Sequence, residues 1–218
     1  MSDEDRHSKA EDAHLITDEQ ARAEREALNG LRQFSVVTDM VADFTQRDKK
    51  FQLRMSMILT LHRCALEGIS SYAGNFRPAD IHIGGSQHQP PPAYIVPEEI
   101  EKLCDYVNEN WDQTALHLSA YILWKLNWIH PFTDGNGRTS RALSYAILCI
   151  RLGYLLPGTR TIPEQISENK KPYYEALEKA DKALATTKKI DVSVLEAMLE
   201  SMLAAQLYRV HQDATKTH

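Results

Sequence analysis

Apolar residues recur three and four positions apart along most of this chain, the interval that places them on one face of a helix. Leu28, Leu31, Phe34, Val37, Met40 and Val41 predict a long helix reaching about residue 46. Thr17-Asp18-Glu19-Gln20 ahead of it reads as a capping box with Thr17 as the N-cap. Leu53, Met57, Leu61 and Cys64 predict a second helix over 51–66, stopped by Gly68. Pro97, with Glu98 and Glu99 behind it, opens a third helix running to about residue 110. Two further helices follow over 114–129 and 139–152. The second of these is apolar nearly all round, which belongs in the middle of a bundle rather than on its surface. Residues 163–187 hold one or two helices broken near Lys171-Pro172, and an amphipathic helix runs from 191 to about 210.

One stretch departs from this period. Asp80-Ile81-His82-Ile83-Gly84-Gly85 alternates and ends in a turn, and Pro90-Pro91-Pro92 must be extended. Short strands are therefore expected only between 76 and 95. The fold class is all-α, a helical bundle with one short β-hairpin excursion. A single domain is expected over 17–211, with its core over about 51–185. A disordered tail (1–16) precedes it and a polar tail (212–218) follows.

Composition narrows the function classes. Of 218 residues, 43% are hydrophobic and 25% charged, the balance of an ordinary globular chain. A net charge of −5 argues against gripping nucleic acid by bulk charge. The longest apolar run, 142–156, is interrupted by Ser144 and Arg151 and is too short to span a bilayer. The segment before residue 15 has no apolar stretch of the kind a secretory signal needs. Cys64, Cys104 and Cys149 are far apart and read as buried free thiols. These features fit a reducing cytoplasm, whether of the cell that makes the protein or of a host to which it is delivered.

The chemistry concentrates between two apolar helices, in His130-Pro131-Phe132-Thr133-Asp134-Gly135-Asn136-Gly137-Arg138-Thr139-Ser140-Arg141. Two glycines make 134–137 poor helix interior, so a tight loop runs into a helix N-terminus, where unpaired N–H groups and the helix dipole favour an anion. The backbone of Gly135, Asn136 and Gly137 can form a nest for phosphate, with Asn136 adding side-chain donors. Arg138 and Arg141, three apart, share a face and reach one polyphosphate. Asp134 is the only loop carboxylate, hence the candidate Mg²⁺ ligand, and His130 is the candidate general base. Phe132 reads as an anchor into the core. Taken singly, each feature has a plainer reading: a histidine cap, a glycine turn, a solvated arginine pair. Their common register is what sets those aside.

The twelve residues match the pattern His-x-Phe-x-(Asp/Glu)-Gly-Asn-Gly-Arg-x-x-Arg, and the chain on these grounds resembles the Fic family. Phe76-Arg77, followed by Ile81, His82, Ile83 and Gly84, is similar to that family's flap, whose edge would pair with a target segment as an added strand. Tyr173-Tyr174-Glu175-Ala176-Leu177 resembles the segment that helps wall the nucleotide base. On the residues alone, one of Tyr173 and Tyr174 stacks on a base or both are core and surface contacts. The resemblance implies a protein adenylyltransferase that moves AMP from ATP, with Mg²⁺, to a Ser, Thr or Tyr hydroxyl of a target protein. Other transfers from the same site (UMP, GMP, phosphate, phosphocholine), removal of AMP, and a non-catalytic nucleotide-binding module are the competing readings.

Many Fic proteins hold a braking helix with the pattern (Ser/Thr)-x-x-x-Glu-(Gly/Asn), whose Glu pairs with the second arginine. No segment here has that pattern. The expectation is constitutive activity or an inhibitory partner protein, with Glu11, Glu24 and Glu26 as the candidates for a degenerate brake.

Overall fold

The computed structural model describes residues 15–45 and 50–216. Among these, eight α-helices form the fold: α1 Glu19–Thr45, α2 Met55–Leu66, α3 Val96–Glu109, α4 Ala115–Ile129, α5 Asn136–Leu152, α6 Ile162–Glu168, α7 Lys171–Thr187 and α8 Ser193–Lys216. The centre is the α4–α5 pair, which share the most extensive helix contact. Ser119 and Ser144 face each other across it, with Ser119 Oγ 2.6 Å from Ser144 Oγ, so small side chains let the two backbones approach. α5 buries residues on every side, as its all-round apolar sequence requires. α1 and α2 pack on one flank of α5, α3 and α8 against α4, and α7 against α4 and α8.

Helix ends follow local chemistry, with some shifts from expectation. The N-cap of α1 is Asp18 rather than Thr17: its carboxylate accepts from Ala21 N at 2.7 Å. Thr114 caps α4 by accepting from His117 N. Pro172 lies in the first turn of α7, where its missing N–H costs nothing, so the expected break near Lys171 is a helix start. α8 continues to Lys216, beyond the expected boundary at 211. The expected tail over 1–16 lies outside the described residues up to residue 14, whereas Leu15 N donates to Ile69 O at 2.9 Å. Cys104 and Cys149 are buried thiols and Cys64 is half-buried.

The expected hairpin is not a strand pair. Residues 76–92 form irregular extended chain with a turn in which Ser86 N donates to Ile83 O at 3.3 Å, and Ala93–Ile95 form a 3-10 turn. The reason lies in the returning arm: Pro90, Pro91 and Pro92 carry no N–H, so no ladder can form. Side chains hold the excursion instead. The buried Arg77 guanidinium donates to Ala79 O and Pro91 O, and Asp80 Oδ1 accepts from Ala93 N.

Candidate functional site

α4 ends where its sequence turns polar, and His130 caps it in the left-handed region at φ 49°. Such a backbone costs a non-glycine residue roughly 1–2 kcal/mol. Three bonds hold it there: His130 N to Leu126 O (3.0 Å), Arg77 Nε to His130 O (2.8 Å) and Arg77 N to Pro131 O (2.9 Å). His130 Nδ1 lies 3.2 Å from Asn127 O. A carbonyl only accepts, so Nδ1 carries the hydrogen and Nε2 presents its lone pair. Burial pushes the imidazole down to about 4, against an opposing pull from the Asn127 carbonyl. It is therefore neutral at pH 7, the state a general base needs.

Phe132, fully buried, anchors the loop as expected. It stacks on His62 with ring centroids 3.6 Å apart. His62 in turn fixes the backbone: its Nδ1 accepts from Gly74 N at 3.0 Å, so its Nε2 donates to Asp134 O at 3.1 Å. Gly135 then turns the chain at φ 76°, and a Cβ there would lie 2.5 Å from Leu66 Cδ2, so only glycine fits. α5 begins at Asn136, three residues earlier than expected, which places the N–H groups of 136–138 in the first helical turn, aimed out of the helix end. One expected role changes. The Asn136 side chain does not face an anion: Oδ1 accepts from Phe132 N and Nδ2 donates to Phe132 O, closing the loop on itself.

A single pocket gathers His130, Asp134, Gly135, Asn136, Gly137, Arg138, Arg141, Tyr173, Tyr174 and Ile83. Burial works to raise the Asp134 carboxyl, but Arg138, the Gly135 N–H and Arg22 outweigh it and hold it below the usual range. Asp134 Oδ2 accepts from Arg138 Nη2 at 3.0 Å and Arg22 Nη2 at 3.1 Å. Among the described residues no three His, Cys, Asp or Glu side chains gather to build a metal cage. Asp134 alone fits a magnesium ion bound with a polyphosphate, where phosphate oxygens and water supply the remaining ligands.

Tyr173 and Tyr174 separate. Tyr173 is 1% exposed, and its hydroxyl accepts from Asn127 Nδ2 at 2.8 Å, so it has no face for a ring to stack on. Tyr174 is half-buried at the pocket wall. In the flap, Ile81 and Ile83 point inward and His82 outward, and of the four expected flap residues only Ile83 lines the pocket.

Several pocket residues escape sequence reasoning. Arg22 and Glu26 come from α1, and Glu26 Oε1 lies 3.3 Å from Arg138 Nη1. Of the brake candidates, Glu11 is outside the described residues and Glu24 bonds to Gln20 on the exposed side of α1. Glu26 reaches the first loop arginine. Asn127, three residues before His130, was findable from helical spacing: its Nδ2 ties Ser140 Oγ and the Tyr173 hydroxyl. His88, which belongs to no sequence motif, lies with Nε2 2.7 Å from Trp128 O. Trp124, Trp128 and Asp181 carry no local signal for the site they line.

Residues 52–148 match the model of the Fic/DOC family. The chain is 37% identical over 114 residues to a Nematostella vectensis protein named protein adenylyltransferase Fic, covering 49% of this chain and 25% of that one. It is 30% identical over 145 residues to a probable protein adenylyltransferase of Aquifex aeolicus, covering 66% and 44%. The chain thus spans less than half the length of these relatives. Solved structures share the fold: Fic-1 (E274G) from C. elegans at TM-score 0.71, with 21% identity over 93% of this chain and 55% of that one, and a Fic family protein from Desulfovibrio desulfuricans at 0.60, with 24% identity over 84% and 54%. No described helix is long and apolar enough to cross a membrane. The motif loop lies inside the span that matches the Fic/DOC family model, and the helical fold around it is the one these solved structures share.

Proposed function

We propose that this chain is a protein adenylyltransferase, transferring AMP from ATP to a Ser, Thr or Tyr hydroxyl of a target protein. The observation that carries the reading is the juxtaposition, in one pocket, of a neutral His130 with its Nε2 lone pair available and an anion-binding helix N-terminus flanked by Arg138 and Arg141. A binding module needs the anion donors but not the base. The relatives' names point the same way.

The first-turn N–H groups of α5 and the two arginines bind the phosphates and meet the charge that develops on them. Asp134 would hold a magnesium ion, which would neutralise phosphate charge. The target hydroxyl oxygen attacks the α-phosphorus while its proton passes to His130 Nε2. The bond from that phosphorus to the bridging oxygen breaks, and pyrophosphate leaves with the electron pair. Ile83 and the neighbouring extended chain position the target segment through backbone contacts.

The test is His130→Ala, with transfer and ATP binding measured side by side. Loss of a general base costs about 10²–10⁴ in rate. Single-turnover labelling of a lysate with labelled ATP, followed by mass spectrometry, should show that loss while calorimetry shows ATP still bound. Undiminished labelling by the variant would sink the assignment.

A further inference from the structure

The proline arm that takes the place of the expected hairpin carries a motif that the transfer chemistry does not use. Pro90-Pro91-Pro92-Ala93-Tyr94 leads from the excursion into the turn before α3. Pro92 sits at φ −53° and ψ 148°, in the polyproline II region, and Ala93–Ile95 follow as a 3-10 turn. Pro91 is buried and Pro92 is exposed. Tyr94 is 84% exposed, more than any other large hydrophobic side chain among the described residues. No hydrogen bond or ring contact engages its side chain among those residues.

The arm is held from beneath. The buried Arg77 donates to Pro91 O, Asp80 Oδ1 accepts from Ala93 N at 2.6 Å, and Ile95 N donates to Pro92 O at 3.2 Å. Pro97 then fixes the chain direction in the first turn of α3. A partner that grips this arm orders little chain, which is the advantage of proline-rich ligands in general. Proline rings in polyproline II pack into grooves between aromatic side chains. Tyr94 adds a ring with an apolar body and a hydroxyl at its tip. Spacing selects among such grooves. Prolines 90, 91, 92 and 97 include no pair three apart, so the arm lacks the Pro-x-x-Pro order that SH3 modules read. Pro91-Pro92-Ala93-Tyr94 has instead the order Pro-Pro-x-Tyr, which a WW module reads with a proline between two aromatic rings and the tyrosine in a neighbouring pocket.

We propose that Pro92 and Tyr94 form a docking site for a partner protein that carries a WW-type module. The site lies outside the nucleotide pocket and does not depend on the transfer reading. The groove takes the two side chains that face solvent, while Pro91 stays tied to Arg77. Because Asp80 binds Ala93 back to the start of the same excursion, a partner held at Tyr94 sits beside the chain that carries Ile83.

The experiment titrates the intact chain into a fluorescently labelled WW module that reads Pro-Pro-x-Tyr. An SH3 module is the control, and a free peptide of residues 88–96 is the comparator. The intact chain binds the WW module saturably, no more than threefold weaker than the peptide, and leaves the SH3 module unbound. Tyr94→Ala, at a side chain that supports nothing else, keeps the melting temperature and lowers the affinity at least about tenfold, as loss of an aromatic anchor does. An intact chain that binds more than threefold weaker than the peptide, or not at all, overturns the proposal, because the fold then withholds the motif. Equal binding of both modules overturns it, as does a loss below tenfold in Tyr94→Ala. A wild-type chain that dimerises in sedimentation, and ceases to when Tyr94 is replaced, gives the face to a second copy and overturns it too.

Discussion

Replacing Arg77 with Met should uncouple catalysis from nucleotide binding. The Arg77 side chain is 0% exposed, and the residue bonds the motif at His130 and Pro131. Its Nε bonds His130 O at 2.8 Å, Nη1 bonds Ala79 O at 3.0 Å and Nη2 bonds Pro91 O. Burial pulls its pKa down, with Asp80 opposing, so the charge is held at a desolvation cost and relies on these carbonyls. Met keeps the apolar stem and removes every donor. Ala79 is exposed, and water replaces its bond. The carbonyls of His130 and Pro91 are left buried and unpaired, at about 1–3 kcal/mol each. Relief of the buried charge offsets part of this, so a net loss of about 3 kcal/mol is expected in urea unfolding. The clamp is also what over-determines the left-handed backbone of His130. Without it the imidazole swings from its aim and single-turnover transfer falls at least tenfold, while ATP affinity in calorimetry stays within about twofold. Arg77→Lys recovers little, since one ammonium cannot reproduce the fork. A Met variant within 0.5 kcal/mol of wild type, or one transferring at the wild-type rate, would refute the clamp.

Three further outcomes are expected. His62 and His130 are each pushed down to about 4 by burial, whereas unfolded imidazoles titrate near 6.5. The unfolded chain therefore binds more protons between those values, and stability is lost as pH falls through that window, by at most about 3 kcal/mol per imidazole. Urea midpoints at pH 7 and 4.5 measure this, and His62→Phe should remove one share; a pH-independent midpoint would contradict the burial of both rings. Gly135→Ala combines a φ of 76° with a Cβ 2.5 Å from Leu66 and should cost about 1–3 kcal/mol with weakened nucleotide binding, read by thermal melts and calorimetry. The ion pairs of Arg22 with Asp134 and of Glu26 with Arg138 join side chains 27–37% exposed, and such pairs are worth about 0.2–1 kcal/mol. Arg22→Gln and Glu26→Gln should thus raise magnesium-dependent ATP affinity by no more than about fivefold; a gain of tenfold or more would make α1 a true brake.

The sequence alone determined what short-range physics controls. The helices were legible because their apolar period and their caps lie within a few residues of one another, and the misplaced cap at Thr17 was only one position off. The loop over 130–141 was legible because base, carboxylate, nest and arginines sit within twelve residues of one chain segment. The absent hairpin was decided locally as well, by three prolines with no N–H to give a ladder. Tertiary structure decided which groups those residues meet. Arg22 reaches Asp134 across 112 positions, Asp181 meets Trp124 across 57, and Arg77 clamps His130 across 53. Packing also reassigned residues expected at the site: it turned Asn136 inward onto Phe132 and sealed Tyr173 in the core, leaving Tyr174 at the wall. Nothing in a linear pattern reports such pairings, because a side chain's partners depend on which helix faces it once the core has closed.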